Sequence, residues 1–252
     1  MYSYIYENYD ENTIMFMTIP VLVLSTILLN FFTILDICEF NYFYIYRIKY
    51  DNIRKYPTKK EISISIIQFY KNFFGLIIPV ATLGIYITNK LDIYLYDLKP
   101  NIDIFYCFTN LCAVLFLSDM LFYILHRIMH IQYFYKKYHK FHHRFKQPHA
   151  LTNYYVDYTE ILLFFLPAII PTILLHSHIT VVWLNIIILN TNGILIHCGY
   201  NFNIFSISYN NNNIISFPCI KEHDYHHKYF NYNYAALFPF IDKLFGTYYI
   251  ES

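Results

Sequence analysis

Sixty consecutive residues of this chain, from position 161 to position 220, include no aspartate, glutamate, lysine or arginine. Soluble domains carry about 25% charged residues, whereas this whole chain carries 14% and is 57% apolar. An uncharged run of this length indicates a lipid environment. The sequence therefore predicts an all-α, polytopic membrane protein. The formal net charge of +1 gives no reason to expect nucleic acid as a partner.

Three further apolar segments precede this run, and each approaches the roughly 20 residues that a helix needs to cross a bilayer. They are predicted as spans at residues 14–35, 72–88 and 104–125. The loop between the first two, residues 46–61, carries six lysines and arginines, which predicts a cytosolic position by the positive-inside rule. The third span then delivers His126 to the cytosolic face.

The uncharged run itself divides into two apolar arms, residues 161–175 and 179–196, around a polar His176-Ser-His178. At 1.5 Å per residue the arms are roughly 22–27 Å long. We predict a helical hairpin that enters the bilayer and returns His197 to the cytosolic side. The asparagine-rich stretch at 209–213 is predicted as a surface loop.

About four transmembrane helices or hairpins with a cytosolic, histidine-rich cap are thus expected. We expect one membrane-embedded domain over residues 1–252, with N-terminal spans at 14–103 and a catalytic region at 104–252.

Histidines are concentrated in two short windows. Of the 12 in the chain, eight lie within residues 126–143 and 223–227, as one HxxxH and two HxxHH patterns. Residues three and four apart share a helix face, and imidazole is the commonest protein ligand for Zn, Cu, Fe and Ni. Residues 126–149 also hold six cations and no carboxylate, so five protonated histidines are not expected there. Neutral histidines that bind a metal are predicted instead.

Several known kinds of metal site are excluded by the motifs. The chain lacks the HExxH of zincins and the Glu-x-x-His pairs of ferritin-like di-iron proteins, and a bis-histidine haem has no use for adjacent histidines. Eight imidazoles are too many for one four-coordinate zinc and suit two metals. With five glycines and no glycine-rich fingerprint, a bound nicotinamide or flavin is not expected.

Five motifs together resemble the fatty acid hydroxylase/sterol desaturase superfamily of membrane di-iron oxygenases, over roughly residues 115–250. The motifs are Asp119-x-x-x-Tyr-x-x-His-Arg-x-x-His130, His139-Lys-Phe-His-His143, Tyr155-Val-Asp-Tyr-Thr-Glu160, His197-Cys-Gly-Tyr200 and His223-Asp-Tyr-His-His227. The fourth is similar to the His-Ser-Gly-Tyr of sterol C4-methyl oxidase and cholesterol 25-hydroxylase-like members.

The resemblance implies two iron ions, O2, and hydroxylation or desaturation of a lipid, with a sterol favoured. Electrons would come from NAD(P)H through a reductase and cytochrome b5. In a eukaryote the membrane would be that of the endoplasmic reticulum, with the site facing the cytosol. Two alternatives stay open: a fatty acyl or sphingolipid hydroxylase, and a catalytically silent membrane protein that binds metal.

The resemblance also assigns site residues. The implied metal ligands are His126, His130, His139, His142, His143, His197, His223, His226 and His227. Members often place another ligand four residues before the one at His197, where this chain has Gly193. Asp157 stands where the family has a histidine. Asn192, His149 and Asp157 are therefore candidate substitutes.

Asp119 precedes His126 by seven residues, so Asp119, Tyr123, His126 and His130 share one helix face. A carboxylate inside a span is costly unless it is paired. We expect Asp119 to accept a hydrogen bond from a ligating imidazole and orient it, with Tyr123 in the layer just behind the ligands. An ordinary interhelical hydrogen bond is the alternative.

Overall fold

A computed structural model describes residues 11–48, 56–80, 82–83, 86, 103–202, 205–209 and 212–250. Within these residues four helices are long and apolar enough to cross a membrane: Ile19–Cys38, Lys59–Val80, Ile104–Met129 and Ile179–Ile196. This confirms the predicted helical, polytopic class. Apolar side chains on the outer faces of these helices are exposed, as a surrounding lipid requires.

The N-terminal helices are longer than the predicted spans. Helix α1 (Glu11–Cys38) contains the predicted 14–35 and is followed by the short α2 (Asn41–Tyr44). Helix α3 (Lys59–Asn72) begins well before the predicted start at 72, because Thr58 and Glu61 form a capping box at its N-terminus. It continues through a π-helical turn, Phe73–Ile77. Residues 81, 84, 85, 87 and 88 of the predicted second span lie outside the described residues.

Helix α4 (Ile104–Met129) carries the first histidine window into the site. Its 26 residues span about 39 Å, and it extends beyond the predicted end at 125, so His126 is still helical. The chain then turns through α5 (Gln132–Phe134) and a π-helical turn, Tyr135–His139. Two 3₁₀ turns follow, His142–Arg144 and Ala150–Tyr154.

The predicted hairpin is present as α6 (Tyr158–Leu174) and α7 (Ile179–Ile196). At the turn between them His176 adopts a φ of 45°, and the side chain of His178 accepts from the N–H of Thr180. Helix α7 packs against α1, α4 and α6, and against α8 (Ile220–Tyr229). A helix without charge on any face is expected at such a central position.

Between α7 and α8 the chain forms a short antiparallel hairpin of β1 (Phe205–Tyr209) and β2 (Asn212–Phe217), with Phe205 opposite Phe217. The surface loop predicted at 209–213 is therefore partly strand. The short helix α9 (Pro239–Leu244) is the last element.

A cluster of buried apolar residues ties the N-terminal helices to the segments around the second histidine window. It joins Phe32 of α1 and Ile62 of α3 to Leu151, Tyr200 and Ile220. Helices α1 and α3 thus support the region after α7 in addition to crossing the membrane.

Candidate metal centre

The nine histidines predicted as ligands lie in two adjoining groups. In each group the ligand atoms lie within 4.8 Å of one another. The five-histidine group contains His126, His130, His139, His143 and His226; the four-histidine group contains His142, His197, His223 and His227. The neighbours His142 and His143 belong to different groups, and so do His226 and His227. Each sequence window therefore contributes to both groups.

The five-histidine group forms where α4 ends and the chain turns back over it. His126 lies on the last turn of α4 and His130 caps it. His139 ends the π-helical turn, and His143 lies on the 3₁₀ turn that follows. His226 comes from α8, which places the distant window beside the first one.

The four-histidine group forms where α7 ends. His197 caps α7, and α8 contributes two rings from one of its faces, His223 and His227. His142 of the 3₁₀ turn completes the group. The predicted return of His197 to the side of the first window is thus observed.

Backbone and carboxylate acceptors fix the protonation of several rings. A carbonyl oxygen can only accept, so a ring nitrogen beside one must carry the proton. His126 Nδ1 donates to Tyr234 O at 2.8 Å, and His226 Nδ1 donates to Tyr232 O at 2.7 Å. His197 Nδ1 does the same to Gly193 O at 2.7 Å.

The Nε2 atoms of these rings carry lone pairs that face other ring nitrogens. His126 Nε2 lies 3.1 Å from His139 Nε2, and His226 Nε2 lies 3.1 Å from His143 Nε2. His197 Nε2 lies close to two partners, His142 Nε2 at 3.2 Å and His223 Nε2 at 2.9 Å. His126 and His139 both carry the ring proton on Nδ1, so their facing Nε2 lone pairs repel unless a cation lies between them. The residues present therefore fit metal ions with a preference for nitrogen.

Burial keeps these rings neutral. Desolvation, strengthened by the neighbouring imidazoles, lowers the pKa of His139, His143 and His223 well below its usual value. Burial likewise lowers the pKa of His197 to about 4. Neutral imidazole is the form that binds metals, so the groups are ready to bind at pH 7.

Glu160, the last residue of the 155–160 motif, contacts a histidine of the five-histidine group, a role that the sequence did not predict. Its Oε1 accepts from His139 Nδ1 at 2.9 Å, and both side chains have no exposed surface. A carboxylate behind a ligating imidazole fixes the ring and raises its basicity. The signal was available, since Glu160 is the last charged residue before the sixty uncharged ones.

Asp119 is buried as predicted, but its partners differ from the expected imidazole. Its two oxygens accept the backbone N–H groups of Ala236, Leu237 and Phe238 at 2.7–3.0 Å. Three N–H donors satisfy the carboxylate, so the expected direct contact with a ligand ring is corrected. Asp119 instead fixes the segment that follows Tyr234, whose carbonyl holds His126.

Tyr123 also supports the histidine groups indirectly, through other residues. Its hydroxyl lies 3.1 Å from Thr247 Oγ1 and accepts from Arg127 Nη1 at 2.9 Å. Its ring packs edge-on against Tyr234, with a 6.0 Å centroid separation. Tyr123 therefore reaches the site through its packing against Tyr234, whose carbonyl accepts from His126.

The three candidate substitutes for an additional ligand have other partners. His149 contacts Ser65 Oγ at 3.1 Å, and Asn192 donates to Ala236 O at 2.9 Å. Asp157 caps α6 by accepting from the N–H of Thr159. At Gly193 a Cβ would lie 2.6 Å from Asn153 Oδ1, so this side chain fills the space beside the glycine.

Comparisons with known proteins agree with this geometry. The family model described as fatty acid hydroxylase matches residues 111–247. Methylsterol monooxygenase 1 of Rattus norvegicus is 32% identical over 54% of this chain and 44% of its own length. The protein of that name from Gallus gallus is 30% identical over 70% of this chain and 58% of its own length.

Very-long-chain aldehyde decarbonylase GL1-10 of Oryza sativa subsp. japonica is 30% identical over 55% of this chain and 46% of its own length. The chain spans about half the length of the curated relatives it matches. No solved structure matches significantly.

Proposed function

Because the chain belongs to the fatty acid hydroxylase family, we propose that it is a membrane oxidoreductase that holds two iron ions and oxidises a lipid with O2. The reaction is hydroxylation or desaturation. A sterol is the favoured substrate, because relatives in rat and chicken are named methylsterol monooxygenases. A fatty acyl or sphingolipid substrate is the second candidate.

The convergence of unprotonated Nε2 atoms carries this proposal. Nitrogen-rich sites of this kind bind iron as well as zinc, and two groups of five and four imidazoles supply ligands for two ions. Two irons bound there would supply activation of O2 and removal of hydrogen from an unactivated C–H bond.

The chain's own residues have three tasks in this proposal. Glu160 holds the proton of His139 on Nδ1 and keeps Nε2 directed into the five-histidine group. The carbonyls of Tyr234 and Gly193 do the same for His126 and His197. Because these acceptors are buried, the ring orientations are fixed before any metal binds.

An apolar wall supports a lipid substrate. Phe164 of α6 packs against His126 and His139, with ring centroids 5.8 and 6.2 Å apart. Phe122 of α4 packs against both Phe164, at 4.9 Å, and His126, at 5.1 Å. In this proposal these rings would exclude water from one side of the five-histidine group and offer an alkyl segment an apolar surface.

The exposed cations near the first histidine window suit an external electron donor. Six exposed cations surround the first histidine window: Arg127, Lys136, Lys137, Lys140, Arg144 and Lys146. An acidic carrier such as cytochrome b5, reduced by NAD(P)H through a reductase, would be attracted to this surface. We propose that this surface and the metal centre face the cytosol at the endoplasmic reticulum membrane.

Metal analysis of the purified full chain tests the proposal before any substrate is chosen. We expect about two irons per chain, and a Mössbauer spectrum of the ⁵⁷Fe-loaded protein that shows a coupled iron pair. The iron-loaded protein should then convert a 4-methylsterol when O2 and a reductant are both present. Omission of either should abolish the product.

Parallel assays with a fatty acyl lipid and a ceramide separate the candidate substrates. Product from these lipids alone would replace the sterol while retaining the oxidoreductase. Firmly bound zinc, with no turnover of any of the three lipids after iron reconstitution, would contradict the proposal and favour a silent metal-binding protein.

A further inference from the structure

A buried ion pair between the end of α1 and the chain after α2 contacts the segment that follows α7. Arg47 Nη1 lies 2.7 Å from Asp36 Oδ1, and the two side chains are 3% and 2% exposed. The hydroxyl of Tyr200 donates to the same carboxylate oxygen at 2.8 Å. The guanidinium also lies over the Tyr200 ring, 4.7 Å from its centroid. Asp36 and Arg47 both lie outside residues 111–247, so the family match does not account for them.

The backbones of the two segments are paired as well. Arg47 and Tyr200 form an isolated antiparallel bridge. On one side of it the N–H of Ile48 donates to Gly199 O at 3.0 Å, and on the other the N–H of Asn201 donates to Tyr46 O at 2.8 Å. Residues 199–201 are therefore held by residues 46–48, which follow α2.

Arg47 also contacts the turn directly. Its Nη1 donates to Cys198 O at 3.3 Å. Gly199 has a φ of +75°, and a Cβ there would lie 2.9 Å from both Arg47 Nη1 and Pro148 O. Only glycine combines that backbone conformation with such a close approach. The guanidinium thus fits against the turn that begins one residue after His197.

We propose that Asp36 and Arg47 are positioning residues for the four-histidine group. They hold the turn at 198–200, and the turn sets the orientation of His197 at the end of α7. His197 is the ring whose Nε2 meets both His142 and His223. This inference rests on the proposed function only because it assumes that the four-histidine group binds a metal. It assigns a role in the site to helices outside the matched family region.

Two buried thiols allow a direct test in the metal-free protein. Cys198 is in the proposed turn and is 0% exposed, while Cys219, just before α8, is 1% exposed. A maleimide cannot reach either thiol in the folded protein, so the reaction of each requires local opening. The labelling rate of each thiol, resolved by mass spectrometry, reports the opening of its own segment.

The variant to compare is Asp36→Asn combined with Arg47→Met, which leaves no unpaired buried charge. We expect Cys198 to react about tenfold faster or more, with Cys219 within about twofold of the wild-type rate. In a cobalt titration the variant should retain one tight site where the wild type has two. Glu61→Gln, a carboxylate-to-amide change at the start of α3, is the matched control and should behave as wild type.

Two outcomes would overturn the positioning role. One is a wild-type Cys198 rate together with two wild-type metal affinities. The other is equal acceleration of both thiols, which would mean that the pair stabilises the whole fold. A wild-type protein that binds no metal would instead count against the proposed function, and the thiol rates would still decide what the ion pair does.

Discussion

The five-histidine and four-histidine groups share one ligand chemistry and differ in what holds them. The five-histidine group is fixed by Glu160 and by the carbonyls of Tyr232 and Tyr234, all within the matched family region. The four-histidine group is fixed by the Gly193 carbonyl and by a turn against which Arg47 packs. Residues of the family region alone therefore support the five-histidine group, whereas the four-histidine group also depends on the N-terminal helices.

Removing a ligand from the better supported group should have the largest effect. His139→Ala deletes the ring between His126 and His143 and leaves Glu160 buried without its partner. We expect one metal per chain instead of two and a loss of turnover above about 100-fold. Iron content and O2-dependent product formation measure this.

His176→Asn, at the exposed hairpin turn, is the control. Asparagine tolerates the positive φ there, so metal content and turnover should stay at wild-type values. Two tightly bound ions in the His139→Ala protein would remove the distinction between the groups.

Glu160→Gln should have the next largest effect. The amide can still contact His139 Nδ1, but it lacks the charge that raises the basicity of the ring. We expect metal affinity at the five-histidine group to fall by about 10–100-fold while the four-histidine group keeps its affinity.

A competitive chelator titration gives the two affinities of this variant. Asp157→Asn, three residues upstream, is the matched carboxylate-to-amide control, because asparagine caps a helix as well as aspartate does. An equal fall at both groups would contradict the independent support of the five-histidine group.

Asp119→Asn tests the support of His126 from a distance. An amide cannot accept all three N–H groups of residues 236–238, so we expect a loss of about 2 kcal/mol in the free energy of unfolding. The accompanying fall in metal affinity should be confined to the five-histidine group.

Denaturant unfolding in detergent measures the stability of this variant. Asp103→Asn, which changes the cap at the other end of α4, should leave it unchanged. Wild-type stability and affinity in Asp119→Asn would show that the contact with 236–238 has no energetic role.

The smallest effect at pH 7 is expected from His149, in the loop that packs on α3. Burial lowers its pKa to about 3, compared with about 6.5 in the unfolded chain. The unfolded state therefore binds a proton that the folded state does not as the pH falls from 6.5 towards 3. Over that window His149 reduces the free energy of unfolding by up to about 1.4 kcal/mol per pH unit.

His149→Gln should flatten this dependence, as thermal unfolding at a series of pH values would reveal. Metal content at pH 7 should stay unchanged, since His149 lies outside both histidine groups. An unchanged pH slope would mean that the proton is taken up elsewhere.

The sequence predicted which histidines lie together, and the hairpin, better than it predicted the residues that support them. The spacing of His126 and His130 marks one helix face, and the uncharged run marks the hairpin. The first and fourth residues of each HxxHH pattern, expected on one face, belong instead to different groups. By contrast, the partner of Asp119 is a backbone segment more than a hundred residues away, and backbone acceptors have no residue-type signature. Asp36 and Arg47 are likewise unremarkable until folding places them against Gly199.

The assignment of adjacent histidines to different groups has a geometric consequence. His142 with His143, and His226 with His227, each span the boundary between the groups by a single peptide unit. Consecutive Cα atoms are 3.8 Å apart whatever the helices do. At these two points, bending or sliding of the transmembrane helices therefore cannot move the backbones of the two groups far apart. The covalent chain thus limits how much the separation of the two groups can change.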